Sequence, residues 1–285
     1  MWCFPSRIGF CFLFRFKFRQ HTFAAVILAL SPLTQSNAHA CSISSLGPSI
    51  LFATENWEEF TEFGRKLLSE VGRLSGVGIS VSLSCSDLPI TIDVQSVSGS
   101  RRYTGMSSRG SPLDTVSNIE TFSTGAEIPF KGKFADFSLV SRIRLVDRTI
   151  RSQGPVIGYP ERFEQAFAGI TLSKVVPISE RLTLQLALSR MIGRGRVKVD
   201  LPGSDPADLT LGNAAVTALS TQFEYKALAF GDDWKVSIQV NNWLEKSKRG
   251  EQSLLYQGTK AVGIAYQPEI NLRSRSLIFG ISRLF

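Results

Sequence analysis

Leu182-Thr183-Leu184-Gln185-Leu186-Ala187-Leu188-Ser189 is the stretch that decides the fold. Side chains of an extended chain point alternately to two faces. Four leucines therefore line one side, and Thr183, Gln185, Ala187 and Ser189 line the other. Left bare in water, an unbroken leucine face would be a costly patch, so a second sheet or lipid must cover it. The same period recurs at 134–146, where Phe137, Leu139, Ile143 and Leu145 oppose Asp136, Ser138, Arg142 and Arg144. It recurs again at 234–243, with Trp234, Val236, Ile238 and Val240 opposite Lys235, Ser237, Gln239 and Asn241. Weaker versions run through 118–128, 163–176, 214–226, 254–267 and 274–285. Between them stand Pro129, Gly154-Pro155, Pro177, Gly193, Pro202-Gly203, Gly231-Asp232, Gly250 and Pro268, residues that punctuate strands. Residues 118–285 thus hold eight candidate strands.

Upstream the pattern changes. Residues 41–55 are small and polar and are expected to be a linker. Trp57, Phe60, Phe63, Leu67, Val71 and Leu74 recur at three- and four-residue spacing, the period of an amphipathic helix. Asn56 followed by Glu59 resembles a capping box, and Gly76 stands where the helix should stop. Such a helix over 57–74 would pack on a sheet, plug a barrel, or lie on a membrane surface through Arg65, Lys66 and Arg73. Strict alternation then returns: Val77, Ile79, Val81, Leu83 and Cys85, a turn at Asp87-Leu88-Pro89, then Ile90, Ile92 and Val94. This strand pair, 77–97, raises the count to ten. Residues 99–117, rich in Ser, Gly and Arg, carry no period and read as a loop. The expected division is a leader over 1–40, an N-terminal segment over 41–117 and a β-domain over 118–285.

The leader has a secretory order. Arg7, Arg15, Lys17 and Arg19 make a basic start without an acid, Phe23 to Leu30 form an apolar core, and Ala38-His39-Ala40 offers a small-x-small cleavage site. Eight apolar residues are too few to span a bilayer, which needs about 20. With the four cations removed, the formal +8 falls to about +4. The remaining Lys and Arg are scattered rather than grouped, which argues against a nucleic-acid partner. Cys41 and Cys85 stay with the exported chain, and an oxidising compartment permits a disulfide between them. Cys41 also stands where a lipoprotein carries its acylated cysteine, but Ala38 replaces the usual leucine there. Two free thiols are the third alternative.

No later stretch approaches 18 consecutive apolar residues, so a membrane location requires a closed barrel. Segments of about ten residues suit that, since about 9–11 tilted residues cross the hydrocarbon. A soluble sandwich or lipocalin-like barrel has alternating strands too. The leucine face favours lipid. So does the Trp234–Trp243 pair, nine steps or roughly 30 Å apart at ~3.3 Å per residue, which suggests aromatic girdles at the two rims. The terminus Leu277-Ile278-Phe279-Gly280-Ile281-Ser282-Arg283-Leu284-Phe285 resembles the C-terminal signal of bacterial outer-membrane β-barrels, a superfamily of porin-like and surface barrels. In that family a terminal Phe heads a row of apolar residues at every second position, which the barrel-assembly machinery recognises. Leu277, Phe279, Ile281 and Phe285 match; Arg283 departs, where Tyr or another hydrophobe is usual. The expected fold is therefore mainly β: an antiparallel transmembrane barrel of about 8–10 strands with one N-terminal helix, in the outer membrane and touching its lipid. Counting strands back from a periplasmic C-terminus, however, sends the long connections 147–162 and 193–213 into the periplasm, opposite to the usual asymmetry.

Both histidines, His21 and His39, lie in the leader. Outer-membrane barrel phospholipases, lipid A deacylases, palmitoyltransferases and omptin-type proteases resemble one another in using histidine as proton carrier, a role suited to its near-neutral pKa. Without it no Ser/His or Asp/His pair can form. No Cys/His cluster has zinc spacing and no glycine motif cradles phosphate, so no metal or cofactor is expected. Asp136, Arg142, Arg144, Glu224 and Lys235 fall on inward faces, either as a satisfied internal network or as the lining of a selective pore. The expected role is non-enzymatic, structural or surface-interacting. A narrow channel for anions or small solutes and a soluble periplasmic β-protein binding an apolar ligand are the alternatives.

Overall fold

A computed structural model describes residues 41–85, 88–106, 112–154, 156–227, 231 and 233–285; the proposed leader, 1–40, lies outside these. The period-two segments become strands β1 (Cys41–Phe60), β2 (Lys66–Cys85), β3 (Leu88–Met106), β4 (Pro112–Phe130), β5 (Asp136–Ile150), β6 (Pro160–Pro177), β7 (Leu182–Val199), β8 (Ala207–Lys226), β9 (Trp234–Ser247), β10 (Ser253–Gln257), β11 (Lys260–Ala265) and β12 (Glu269–Leu284). Ten of them close a barrel in the order β1-β12-β9-β8-β7-β6-β5-β4-β3-β2, while β10 and β11 make a separate hairpin. Closure leaves the barrel without an open edge. Its ends meet where the Phe285 amide donates to Ser44 O at 3.0 Å.

The leucines of β7 point out of the barrel: Leu186 is 42% and Leu188 50% exposed. Their neighbours continue an apolar belt, with Phe137, Leu139, Ile170, Leu172, Leu219, Phe223, Ile238, Val240, Leu277 and Phe279 all exposed. A soluble barrel that binds an apolar ligand would turn this face inward; here lipid must cover it. Barrel strands of 14 to 20 residues overshoot the 9–11 needed to cross hydrocarbon. In the excess length the pattern inverts. On β7, Leu182 to Leu188 face out near one end, whereas further along Met191, Val197 and Val199 are buried and Arg190, Arg194, Arg196 and Lys198 are exposed. Polar residues outside and apolar ones inside mark a wall that has left the bilayer.

Four expectations for 41–117 fail together. The linker 41–55 belongs to β1, the loop 99–117 holds the end of β3 and the start of β4, and the proposed boundary at 117/118 cuts β4 in two. No helix forms over 57–74: Trp57 to Phe60 finish β1, the Thr61 amide donates to Arg65 O across a turn, and β2 begins at Lys66. The helical spacing arose because the inward row mixes apolar and acidic residues. Trp57 and Glu59 are both buried, as are Leu68, Glu70 and Leu74, so hydrophobicity alone conceals the period of two.

Segment 254–267 is not a barrel strand but the β10–β11 hairpin, so ten strands are reached only because β1 replaces it. Removing it reverses the parity of every connection before it. The connections 86–87, 131–135, 178–181 and 227–233 share the end that holds Cys41 and Phe285; 61–65, 107–111, 151–159, 200–206 and 248–268 lie at the other. The two longest, 151–159 and 248–268, lie at the end opposite Phe285, so the long connections no longer point to the periplasm. Nine steps is an odd number, and Trp243 accordingly faces inward, where it meets Phe167 edge-on at 5.8 Å; it belongs to no girdle. Cys41 and Cys85 are joined by a disulfide between the periplasmic ends of β1 and β2.

On β12, Leu277, Phe279, Ile281, Arg283 and Phe285 follow the outward parity. Arg283 lies opposite Trp234 in register, its guanidinium 6.0 Å from that ring and 5.3 Å from Phe285. A cation stacked between two rim aromatics explains how arginine is tolerated in an apolar row. Deleting Phe285 is expected to lower the folded, heat-modifiable barrel recovered from membranes far more than Arg283→Ala does. Equal yields from the deletion and the unaltered protein would refute the role of this row in assembly.

Candidate functional site: a charged layer inside the barrel

The even-numbered residues of β5 face the lumen, so Arg142, Arg144 and Arg148 rise inside the barrel at two- and four-residue steps. Arg148 Nη1 donates to Glu59 Oε1 at 3.0 Å, and its Nε stands 2.6 Å from Glu161 Oε2, too oblique for a hydrogen bond. Glu70 Oε1 lies 3.7 Å from Arg148 Nη1 and accepts a 2.7 Å hydrogen bond from Ser117 Oγ. Arg101 stands 3.5 Å from Glu70 and 3.9 Å from Glu55. Across the barrel, Arg144 donates to Glu245 Oε2 at 2.6 Å and, twice, to Gln165 Oε1; Gln165 Nε2 donates to Glu245 Oε1 at 2.8 Å.

These contacts join β1 through β6 and β9, and the links from β5 to β1 and β2, and from β5 and β6 to β9, run between strands that are not neighbours in the sheet. Only side chains crossing the lumen can connect them. Aromatic rings close the gaps. Trp57 meets Phe163 edge-on at 5.1 Å and donates Nε1 to Glu59, Arg148 lies over both rings, and Trp243 Nε1 donates to Glu245 at 3.2 Å. Gly193 makes room for Phe167, since a Cβ there would fall 2.3 Å from the ring; the β7–β8 register shifts beside it. Around the charges, Leu68, Leu113, Ile119, Val146, Ile150, Val197, Leu209 and Ile270 form an apolar core inside the outer half of the barrel. A crevice between Glu55, Trp57, Arg101 and Arg144 has room for about one water molecule.

Such a layer fixes geometry. Each ion lost hydration when it was buried, and the attraction between partners returns that energy only while every partner stays in place. Residues 41–285 contain no histidine, so these carboxylates have guanidiniums, amides and hydroxyls as partners but no imidazole to carry a proton.

The five inward charges anticipated from sequence are not brought to one place. Arg144 enters the buried layer. Arg142 pairs with Asp93 at 3.1 Å and Glu224 with Lys235 at 3.2 Å, both partly exposed in the lumen. Asp136 sits by the turn, held by Lys131 Nζ and the Gly132 amide. Sequence reasoning missed Glu55, Glu59, Glu70, Arg101, Arg148, Glu161 and Glu245. Arg148 and Glu245 keep the parity of Arg144 and Lys235 and were legible; Glu59, Glu70 and Arg101 lay in segments taken for helix and loop.

No protein-family model and no curated protein matches this chain. Among solved structures it is similar to the outer membrane protease OmpT from Escherichia coli, with a TM-score of 0.53 at 14% identity over 88% of this chain and 99% of that one. The translocator domain of the autotransporter NalP from Neisseria meningitidis follows at a TM-score of 0.44 and 11% identity, over 92% of this chain and 95% of that one. Identity this low speaks for the fold alone. Closed, antiparallel and sheathed in apolar side chains, the chain has the fold of the bacterial outer-membrane β-barrels.

Proposed function

We propose that this barrel works without catalysis or conduction, as a rigid wall that spans the outer membrane and holds a surface for interaction above it. The observation that carries this reading is the filled lumen: six strands are tied together across it by Arg101, Arg144 and Arg148 with their carboxylates, beneath an apolar core. A selective pore would need a continuous wet path, and buried ion pairs braced by tryptophans are poorly suited to open and close one. The overshooting strands and the β10–β11 hairpin give the outer end its reach. Leu254, Tyr256, Val262 and Ile264 of that hairpin are exposed, apolar residues suited to contact with a partner. Lack of histidine after residue 40 weighs against the proton-transfer chemistry of barrel hydrolases. Membrane lipid and the assembly machinery that reads the row ending in Phe285 are the partners this role requires.

Planar-bilayer recording tests it. The purified barrel is expected to give a flat trace at all voltages, while Arg144→Ala combined with Glu245→Ala, which removes a crossing pair, admits small steps. Regular unitary conductance from the unaltered protein would establish the channel reading instead.

A further inference from the structure

Basic residues gather on one outer face of the barrel, directly above the apolar belt. On β12 the outward row climbs from Phe285 through Ile281, Phe279 and Leu277 to Arg275 and then Arg273. Eight steps separate Phe285 from Leu277, roughly 26 Å along the strand at ~3.3 Å per residue and about 20 Å vertically once the strand tilts. The apolar band of such barrels is about 25 Å tall, so Arg275 stands at its upper rim and Arg273 beyond it. Lys246 of β9 is the diagonal neighbour of Arg273, because Leu244 pairs with Arg273 and Lys246 with Asn271. Asn242 faces Arg275 in the same ladder. All three cations are exposed, and no ion pair involves any of them among the described residues.

The same face continues on β7, where Arg190 and Arg194 bond only to neutral groups, Thr217 Oγ1 and Asn213 Oδ1. From Leu182 to Val199 on β7, and throughout β9 and β12 between the belt and Asn271, no outward residue is acidic. Two carboxylates border the group: Glu58 on β1, opposite Asn271 and paired with Lys66, and Glu269, two residues beyond Asn271 on the outward row of β12. On the opposite wall the balance differs: Arg162 lies near Asp147 and Glu164, and Arg102 is bonded to Asp114.

We propose that Lys246, Arg273 and Arg275 form a binding site for the phosphorylated headgroup of an outer-leaflet lipid. Unpaired cations at the rim of a hydrocarbon belt are costly unless they reach anionic headgroups, and their long stems let them do so. Arg273 is flanked by Arg275 two residues along its strand and by Lys246 on the diagonal, each about 7 Å away, so a phosphate monoester gripped in bidentate fashion by Arg273 has a second cation on either side. Asn242 and Asn271 flank them as neutral hydrogen-bonding groups suited to sugar hydroxyls. Arg190 and Arg194 extend the cationic face toward a second phosphate.

The inference rests on the membrane-spanning reading and not on the closed lumen. The barrel is reconstituted in phosphatidylcholine nanodiscs containing diphosphorylated lipid A or its dephosphorylated form, and the lipid retained on release is counted by native mass spectrometry. Diphosphorylated lipid A is expected to stay bound, and the dephosphorylated form is not. Retention should fall at least about tenfold in Lys246→Gln/Arg273→Gln/Arg275→Gln. It should survive in Arg73→Gln/Arg102→Gln/Arg162→Gln, which removes equal charge from β2, β3 and β6, and in Arg273→Lys/Arg275→Lys. Equal retention by the first triple variant, or by the dephosphorylated lipid, overturns the site. Competition by millimolar inorganic phosphate overturns its lipid specificity and leaves a simple anion site. If the triple variant fails the heat-modifiability check, Lys246→Gln alone decides, and unchanged retention there is equally fatal. Recovery of unaltered protein in the soluble fraction would instead sink the membrane account on which the site depends.

Discussion

Arg148→Ala is expected to destabilise the folded barrel by about 3–5 kcal/mol, the usual cost of removing one member of a buried ion pair. Arg148 is 2% exposed and is the single cation shared by Glu59, Glu70 and Glu161. Truncation leaves those carboxylates in a dry interior facing one another, with Arg101 touching only Glu70. It also removes the guanidinium that lies over Trp57 and Phe163. Arg102→Ala provides the contrast. Its pair with Asp114 is exposed on the outer wall, where solvent screens it, and its loss should leave stability nearly unchanged. Urea titrations of the two variants in the same detergent, followed by tryptophan fluorescence, separate them. Similar midpoints would mean that the charged layer does not hold the barrel together.

Leu186→Arg is the second large effect. Leu186 lies on the outer face of β7 midway up the leucine row, and arginine at that depth is expected to cost about 2–4 kcal/mol, falling toward the interface at Leu182. Leu184→Ala and Leu186→Ala should cost little, because no packed core stands behind them to collapse into a cavity. A soluble sandwich reverses the series: each leucine would fill a dry core, and each alanine would cost about 2–5 kcal/mol. Folding yields into vesicles, read by heat-modifiable migration, give both series. Alanine variants as damaged as Leu186→Arg would remove the case for lipid on this face.

The same two layers explain what was legible in the amino-acid sequence. Where a strand lies in the bilayer, outside and inside differ simply, and the faces at 137–145, 182–188 and 234–240 were assigned as the structure has them. Where a strand rises above it, the apolar side changes from outer to inner. β6 illustrates this. Ile170 and Leu172 face out, whereas Phe163 and Phe167 face in and Arg162 is exposed. A single alternating pattern cannot describe both halves, which is why 163–176 reads weakly. β1 to β3 add a second difficulty, because charged residues join the inward row. Glu59, Glu70 and Arg101 give that row no hydrophobic signature, so helix and loop looked better than strand. The charged partners of the buried layer come from six strands, and nothing local announces which carboxylate will meet which arginine across a lumen. Arg144 was recognisable as inward from its parity; its link to Glu245, 101 residues away, was not.

The central claim, a barrel in which Leu184, Leu186 and Leu188 of β7 touch lipid while Gln185, Ala187 and Ser189 face the interior, is tested most directly by quenching. Single cysteines at positions 184 to 189, each carrying a small fluorophore, are reconstituted in vesicles of brominated phospholipid. Probes at 184, 186 and 188 should be strongly quenched and those at 185, 187 and 189 weakly, a period of two along the strand. Quenching that is uniform along the six positions, or strongest at the odd-numbered ones, would contradict the account.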